Sequence, residues 1–325
     1  MTDIIVKNDR KRVRIMGIVV IGAVFVDIKG YPDEVYIPAG RNVGQVAHIH
    51  GGVGRNVAED IANVELRPTF ISLVDDTAIG IDVVQKLKNH KVNTDYIRCV
   101  KDGMGTWLAV FNNEGDVVAS ISKRPDLMPI ADILDQHGDE IFANADSIVV
   151  EIDMDKEIIK QVFKYAKKYN KKVFAVVANM SIAQERRDFL MHTDCLVCNQ
   201  QEAGILFSDD YSQLDVPTLQ QTIAENVQRA KFPSIIVTMG EKGAVYADLH
   251  GNSGYCPARK VNVKDTTGAG DAFCAGVAIG LTYGKTIAEA CKIGTHLSAS
   301  VIVTSESVCP RFRPAELGLD VEIPD

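Results

Sequence analysis

Two hydrophobic patterns alternate along this chain. Short β-branched runs at Ile18–Ile21, Phe70–Val74, Ser147–Val150, Val173–Val177, Cys195–Cys198 and Ile235–Thr238 are apolar at consecutive positions, as strands covered on both faces are. Between them the apolar positions recur at helical spacing. Lys156–Lys168 places Ile158, Ile159, Val162, Phe163 and Ala166 on one stripe. Val57, Ile61 and Val64 mark a helix after Gly54, and Thr286–Val303 marks another near the end. Strand alternating with helix predicts parallel βαβ units and a doubly wound, mostly parallel α/β sheet.

Two segments break the alternation. In Thr106–Ser122, Trp107, Ala109 and Phe111 alternate, Asn112–Asp116 turns, and Val117–Ile121 returns. Val35–His50 is also extended in pattern and precedes a glycine cluster. These predict a small β-sheet lid, inserted at about 29–50 and 97–124 of a single α/β domain spanning residues 1–325. A strand pair is marginal alone in water, so the lid must pack on the body, a ligand or another chain.

Composition narrows the class. Hydrophobic residues at 46% and charged residues at 24% exclude wholesale disorder. A net charge of −8 argues against nucleic acid or an anionic membrane as partner. Any phosphate must therefore be held by local geometry. Seven scattered cysteines are no disulfide framework. Cys195-Leu196-Val197-Cys198 lacks the second ligand pair of a zinc site and reads as apolar filler. The basic Met1–Arg14 and the apolar Met16–Val26 mimic a signal peptide, but no small-x-small cleavage site follows and Asp27 ends the run. Lys7–Arg14 reads as a solvated lead-in to the first strand. No stretch reaches the roughly 18 uninterrupted apolar residues of a membrane span. The expectation is a cytoplasmic protein.

Asp265-Thr266-Thr267-Gly268-Ala269-Gly270-Asp271-Ala272-Phe273 leads into an apolar helical run, Ala272–Leu281. Glycines at a helix mouth let backbone N–H groups approach an anion. The macrodipole adds roughly 0.3–1 kcal/mol per anion. Asp271 would repel a phosphate there unless it has its own task. It either accepts a proton from an attacking hydroxyl or caps the helix.

Gly51-Gly52-Val53-Gly54-Arg55-Asn56 opens another helix. It lacks the Gly-Lys-Ser/Thr of a Walker A loop and fails G-x-G-x-x-G because Val57 stands at the third glycine position. Asn56 and nearby amides suit hydroxyls, and a plain tight turn is the competing reading. Asp27 falls at the end of the first strand, where open α/β sheets bind ligands; it either accepts sugar hydroxyls or is structurally idle. Asn199-Gln200-Gln201-Glu202 and Val237–Gly243 follow two later strands, as nucleotide contacts or as ordinary loops.

Taken together, in this order, these segments resemble the ribokinase/PfkB family of carbohydrate and nucleoside kinases, from about Val13 to Pro310. The resemblance implies a sheet with helices on both faces, a β-lid, and transfer of the ATP γ-phosphoryl to a substrate hydroxyl. It implies Asp271 as catalytic base, with the N–H groups of Ala269, Gly270 and Asp271 supplying an anion hole and Gly268 beside them in the catalytic loop. Asp27, Gly51, Gly52 and Asn56 match sugar-binding positions, and Glu151 matches a further substrate contact. Asn199 and Glu202 match the motif that organises Mg²⁺ through water. Thr238, Gly240 and Gly243 match triphosphate contacts, while His296 stands where the family lines the adenine pocket or else is a core histidine. Asp265 and Thr267 fit the start of a monovalent cation (K⁺) site, whose other ligands would be carbonyls around Ser300–Ser305.

Further points bear on function. A non-catalytic sugar-binding regulator on a kinase scaffold is the alternative class, against which stand Asp271, Asn199 and Glu202. A dinucleotide oxidoreductase is disfavoured because Gly22–Asp27 lacks the glycine fingerprint. Gly51–Ala58 with Lys29–His50 resembles pseudouridine kinases more than ribokinase- or fructokinase-like sugar kinases. Two segments depart from that pattern, Ala175–Asn179 and Ile121–Arg124, whose Lys123 and Arg124 face either an anionic group or solvent. His48 and His50 share one face of an extended segment, to contact substrate or a second subunit's lid. A lid with an apolar outer face would make the protein a homodimer.

Overall fold

The computed structural model describes residues 13–14 and 16–322. Most of the basic lead-in, residues 1–12, lies outside the described residues, whereas the apolar run Met16–Val26 lies within them.

In chain order the strands and helices are β1 (Val13–Arg14), β2 (Ile18–Ile21), β3 (Phe25–Pro32), β4 (Gly44–Gly51), α1 (Val53–Asn63), β5 (Thr69–Val74), α2 (Ala78–Asn89), β6 (Ile97–Cys99), β7 (Gly105–Phe111) and β8 (Val117–Lys123). There follow α3 (Pro129–Asn144), β9 (Ser147–Glu151), α4 (Lys156–Lys168), β10 (Lys172–Val176), α5 (Met180–Gln184), α6 (Arg187–Leu190), β11 (Cys195–Asn199), α7 (Gln200–Phe207) and α8 (Val216–Ala230). The chain ends with β12 (Ser234–Thr238), β13 (Ala244–Asp248), β14 (Ser253–Cys256), α9 (Ala269–Thr282), α10 (Ile287–Val301) and β15 (Val321–Glu322).

The main sheet runs β14-β13-β12-β11-β10-β9-β2-β5-β6. It is parallel except where β13 pairs antiparallel with β12 and β14. The consecutive apolar runs of the sequence are its central strands, buried on both faces. Alternate side chains enter opposite cores. Val19 and Ile21 of β2 pack towards α3, α4 and α8, while Ile18 and Val20 pack towards α1, α2, α9 and α10.

The strand order places a topological switch at the centre. From β2 the chain winds outwards through β5 and β6, then returns to β9 on the other flank and winds the opposite way. Such sheets leave a crevice at the carboxyl ends of the strands on either side of the switch. The second sheet, β4-β3-β7-β8, covers that crevice as a lid.

Several boundaries differ from the sequence expectation. Asp27 is not at the end of the first main-sheet strand, which stops at Ile21; it lies inside the lid strand β3. The return strand of that hairpin is Gly44–Gly51, and residues 35–43 are loop. Ile97–Cys99 pairs with Ser72–Val74 in the main sheet, so the second lid hairpin begins at Gly105. Three residues are too few for a hydrophobic period to reveal which sheet a strand joins.

Candidate active site

The first clamp of the site is a buried carboxyl. Glu151 ends β9 beside the switch, and its Oε1 accepts N–H bonds from Ala23, after β2, at 3.0 Å and from Gly54, at the start of α1, at 2.5 Å. It thereby draws the loop after β2 onto the first turn of α1. Burial, and then the neighbouring Asp153, push its pKa up to about 8 against those two amides. Gly52 precedes α1 at φ 98°. A Cβ there would lie 2.5 Å from the Ala23 carbonyl oxygen, so only glycine makes this turn without displacing the loop.

The polar face of α1 is buried and holds the far side of the site. Arg55 pairs with Glu59 at 2.7 Å and reaches the His50 carbonyl and Ser307 Oγ. Asp60 Oδ1 accepts from Cys309 N–H at 2.6 Å, and Asn63 Nδ2 donates to the Cys309 carbonyl at 2.6 Å. The segment 307–309 so fixed lies directly beneath Gly268. Gly268 adopts φ 79° at the N-cap of α9.

Asp271 stands in the first turn of α9, and Gly268 is the cap. The capping role left open for Asp271 is therefore excluded. Its Oδ2 accepts from Asn56 Nδ2 at 2.6 Å. Burial raises the Asp271 pKa to about 6; the Asn56 hydrogen bond and Arg55 oppose the rise, and Asp27 adds to it. The first amides of a helix lack intrahelical carbonyl partners. The Ala269 N–H closes a turn on the Thr266 carbonyl at 3.2 Å, which leaves Gly270 and Asp271 as the better-placed donors for an anion. A Cβ on Gly270 would meet no protein atom within 4 Å.

A cavity of about 680 Å³ lies between lid and sheet. Asp27, Gly52, Asn56, Glu151, Gly268 and Asp271 all line it, together with Thr267. Gly51 is adjacent: a Cβ on it would strike the Asp27 carboxylate at 2.5 Å. Burial raises the Asp27 pKa, with Lys29 and Arg55 pulling it back.

The remaining expected contacts lie outside this cavity. Asn199 and Thr238 are register partners at the ends of β11 and β12. Asn199 and Glu202 form a reciprocal capping box on α7, with both bonds at 2.8 Å. Burial raises the Glu202 pKa, and the fields of Asp153 and Asp271 add to it. Gly240 and Gly243 take positive φ in the turn after β12. His296 packs edge-on against Phe312 at 5.0 Å.

Other expectations need correction. His48 and His50 do share a face of β4, but it is the one turned away from Asp27, so neither reaches the cavity. His50 instead pairs with Asp82 at 3.1 Å. Lys123 pairs with Asp102 on the surface, whereas Arg124 lines the cavity and binds Asp153 at 2.6 Å. Sequence reasoning missed Lys29, Asp153 and Arg186. Lys29 alternates with Asp27, which was a usable signal; Asp153 and Arg186 carried none. Cys195 and Cys198 are buried in β11, and no group of metal-ligating side chains occurs among the described residues.

Comparison with known proteins decides the family. The profile described as pfkB family carbohydrate kinase matches residues 17–312. The chain belongs to this family. It is a kinase with the family's mixed α/β architecture. A guanosine-inosine kinase of Exiguobacterium acetylicum is 35% identical over 294 residues, covering 89% of this chain and 95% of that protein. A pseudouridine kinase of Escherichia coli (strain K12) is 27% identical over 288 residues, covering 88% and 90%. The structure of Arabidopsis thaliana ribokinase complexed with ribose and ATP superposes with a TM-score of 0.78 at 21% identity, covering 94% of this chain and 99% of that one. No helix of the described residues is long and apolar enough to cross a membrane.

Proposed function

We propose that this pfkB-family kinase transfers the γ-phosphoryl of ATP to the 5′-hydroxyl of a ribonucleoside whose base carries a carbonyl group. A 6-oxopurine, as in guanosine or inosine, fits best, and pseudouridine is the second reading. The observation that carries this is the lining of the cavity, whose volume is about 680 Å³. Beside Asp27, Asn56 and Asp271, which offer hydroxyl partners, it includes Phe25, Trp107, Asn179 and Arg186. Ribose alone would leave that second group without a role. Arg186 Nε donates to the Met154 carbonyl at 3.1 Å, which fixes the guanidinium at the cavity wall. A guanidinium only donates hydrogen bonds, so it suits a base carbonyl and disfavours the amino group of adenine. The guanosine-inosine kinase relative supports the same reading.

In this reading Asp271 takes the proton of the 5′-hydroxyl as it attacks the γ-phosphorus. The amides of Gly270 and Asp271 receive charge on the transferring group, and ADP leaves. Phosphoryl transfer asks for positioning and charge stabilisation more than covalent help. Glu202 and Asn199, joined at the start of α7, would hold a divalent cation through water. Mg²⁺ so bound would neutralise phosphate charge. Thr238, Gly240 and Gly243 would face the triphosphate. Asp265 and Thr267, proposed for a monovalent cation, already share the ammonium of Lys29, and no step is assigned to K⁺.

A panel of inosine, guanosine, pseudouridine, adenosine, ribose and fructose with coupled ADP detection tests the substrate. Inosine or guanosine should turn over fastest, and Arg186→Ala should lower their kcat/KM roughly 10- to 100-fold while leaving ribose unaffected. Ribose or fructose turning over as well as every nucleoside would exclude a base-reading site.

The oligomer is a second part of this proposal. Ile28, Leu108 and Ile121 are cross-strand neighbours on the lid face opposite Asp27, Trp107 and Ser122. Ile121 is 70% and Val46 66% exposed. We assign a second copy of the chain to this face, where Leu108, Ile121 and Val46 leave apolar side chains exposed together. Light scattering should give twice 35.5 kDa, and Ile121→Glu should return the monomer; a monomeric wild type contradicts the assignment.

A further inference from the structure

The lid carries one side chain that neither sugar binding nor lid packing accounts for. Lys29 is only 2% exposed. Its Nζ donates to Thr267 Oγ1 at 3.0 Å and stands 3.5 Å from Asp265 Oδ2. Asp265 Oδ1 in turn accepts the Thr267 N–H at 2.8 Å. Two groups of the segment 300–305, which would complete a cation site, are engaged as well. The Ile302 carbonyl accepts from Lys264 N–H at 2.7 Å, and Lys264 Nζ donates to Ser305 Oγ at 3.1 Å. These groups do not fit a K⁺ site, because a positive charge already occupies the carboxylate and hydroxyl that would start it.

We infer that the ammonium of Lys29 is a built-in replacement for the monovalent cation: it neutralises Asp265, holds the Thr266–Gly268 turn, and makes the kinase independent of K⁺. A lysine ammonium is a compact point charge with three donors, so it can satisfy a carboxylate and a hydroxyl together. Because it is tethered, it needs no ion from solution. With Asp265 neutralised, its field no longer opposes a phosphate entering the adjacent anion hole. Lys29 is a positioning residue, since it acts through the turn and does not touch the reacting atoms. It also lies two positions after Asp27 on the same face of β3, so one strand brings the substrate contact and the ammonium to the site together. The inference rests on phosphoryl transfer at the mouth of α9 and not on which nucleoside is bound.

The test replaces K⁺ by tetramethylammonium at constant ionic strength, for the wild type, Lys29→Met and Lys29→Gln. The acceptor is whichever compound of the panel turns over fastest. Wild-type kcat and Tm should not respond to K⁺. Each variant should lose roughly 10- to 100-fold in kcat without K⁺ and regain most of it as K⁺ or NH₄⁺ is added. The variants' Tm, measured without substrates, should rise with the same ions, a readout independent of activity and of nucleoside identity. Three results would overturn the inference: a wild type that loses its turnover without K⁺, variants that keep full turnover without it, or folded variants that no monovalent ion restores.

Discussion

Asp271→Asn should lower kcat by roughly 10³-fold or more while the far-ultraviolet circular dichroism spectrum stays that of the wild type. The new amide keeps an oxygen for Asn56 Nδ2, so the 2.6 Å contact can survive and only the proton acceptor is lost. Two further readouts separate a base from a structural carboxylate. The wild-type kcat/KM should fall as pH drops through about 6, where the raised pKa of Asp271 leaves it protonated. Stability should move the other way. A carboxyl whose folded pKa lies above its unfolded value binds more protons in the folded state. Its contribution is therefore greatest below the unfolded value and is lost as pH rises towards about 6. At pH 7 the Asn variant should match or exceed the wild type in Tm. Near-normal turnover in Asp271→Asn would end the base assignment.

The second large effect belongs to Gly268. An added methyl would sit 1.9 Å from the Ser307 carbonyl oxygen, in a backbone conformation of φ 79° that side chains rarely adopt. That carbonyl cannot easily retreat, because the segment beginning at Ser307 is anchored to the buried face of α1 through Arg55, Asp60 and Asn63. The first turn of α9 must move instead. Gly268→Ala should therefore lower kcat by about 10²- to 10³-fold and also lower Tm in a thermal melt. Gly270→Ala is the control. Its methyl meets no protein atom and sits in a helix that favours alanine, so Tm should hold or rise while turnover falls through intrusion on the phosphoryl group. Equal losses of Tm in both variants would mean that this turn is structural and not an anion site.

Much of the architecture was legible because it follows from local pattern. Burial on both faces writes consecutive apolar positions into β2, β5, β9, β10, β11 and β12, and an amphipathic stripe writes α4 with the bounds observed, Lys156–Lys168. The two glycine clusters were legible for a related reason: a positive φ at a helix entrance leaves few residue choices. Asp27 was found as a residue but misplaced, since alternation along Phe25–Pro32 does not say that the chain has left the main sheet. The pattern places Lys29 in an extended segment but carries no sign of where its ammonium goes.

What the sequence determined by itself is the set of elements and the presence of two phosphate- and hydroxyl-suited loops, because secondary structure and tight turns depend on residues close in the chain. Only the tertiary structure decided which groups meet. Asn56 and Asp271, Lys29 and Asp265, and Glu151 with Ala23 and Gly54 are each far apart in sequence. Their encounters depend on the winding order of the sheet and the fold of the lid over its switch point, and the raised pKa of Asp271 follows from the enclosure that this packing creates.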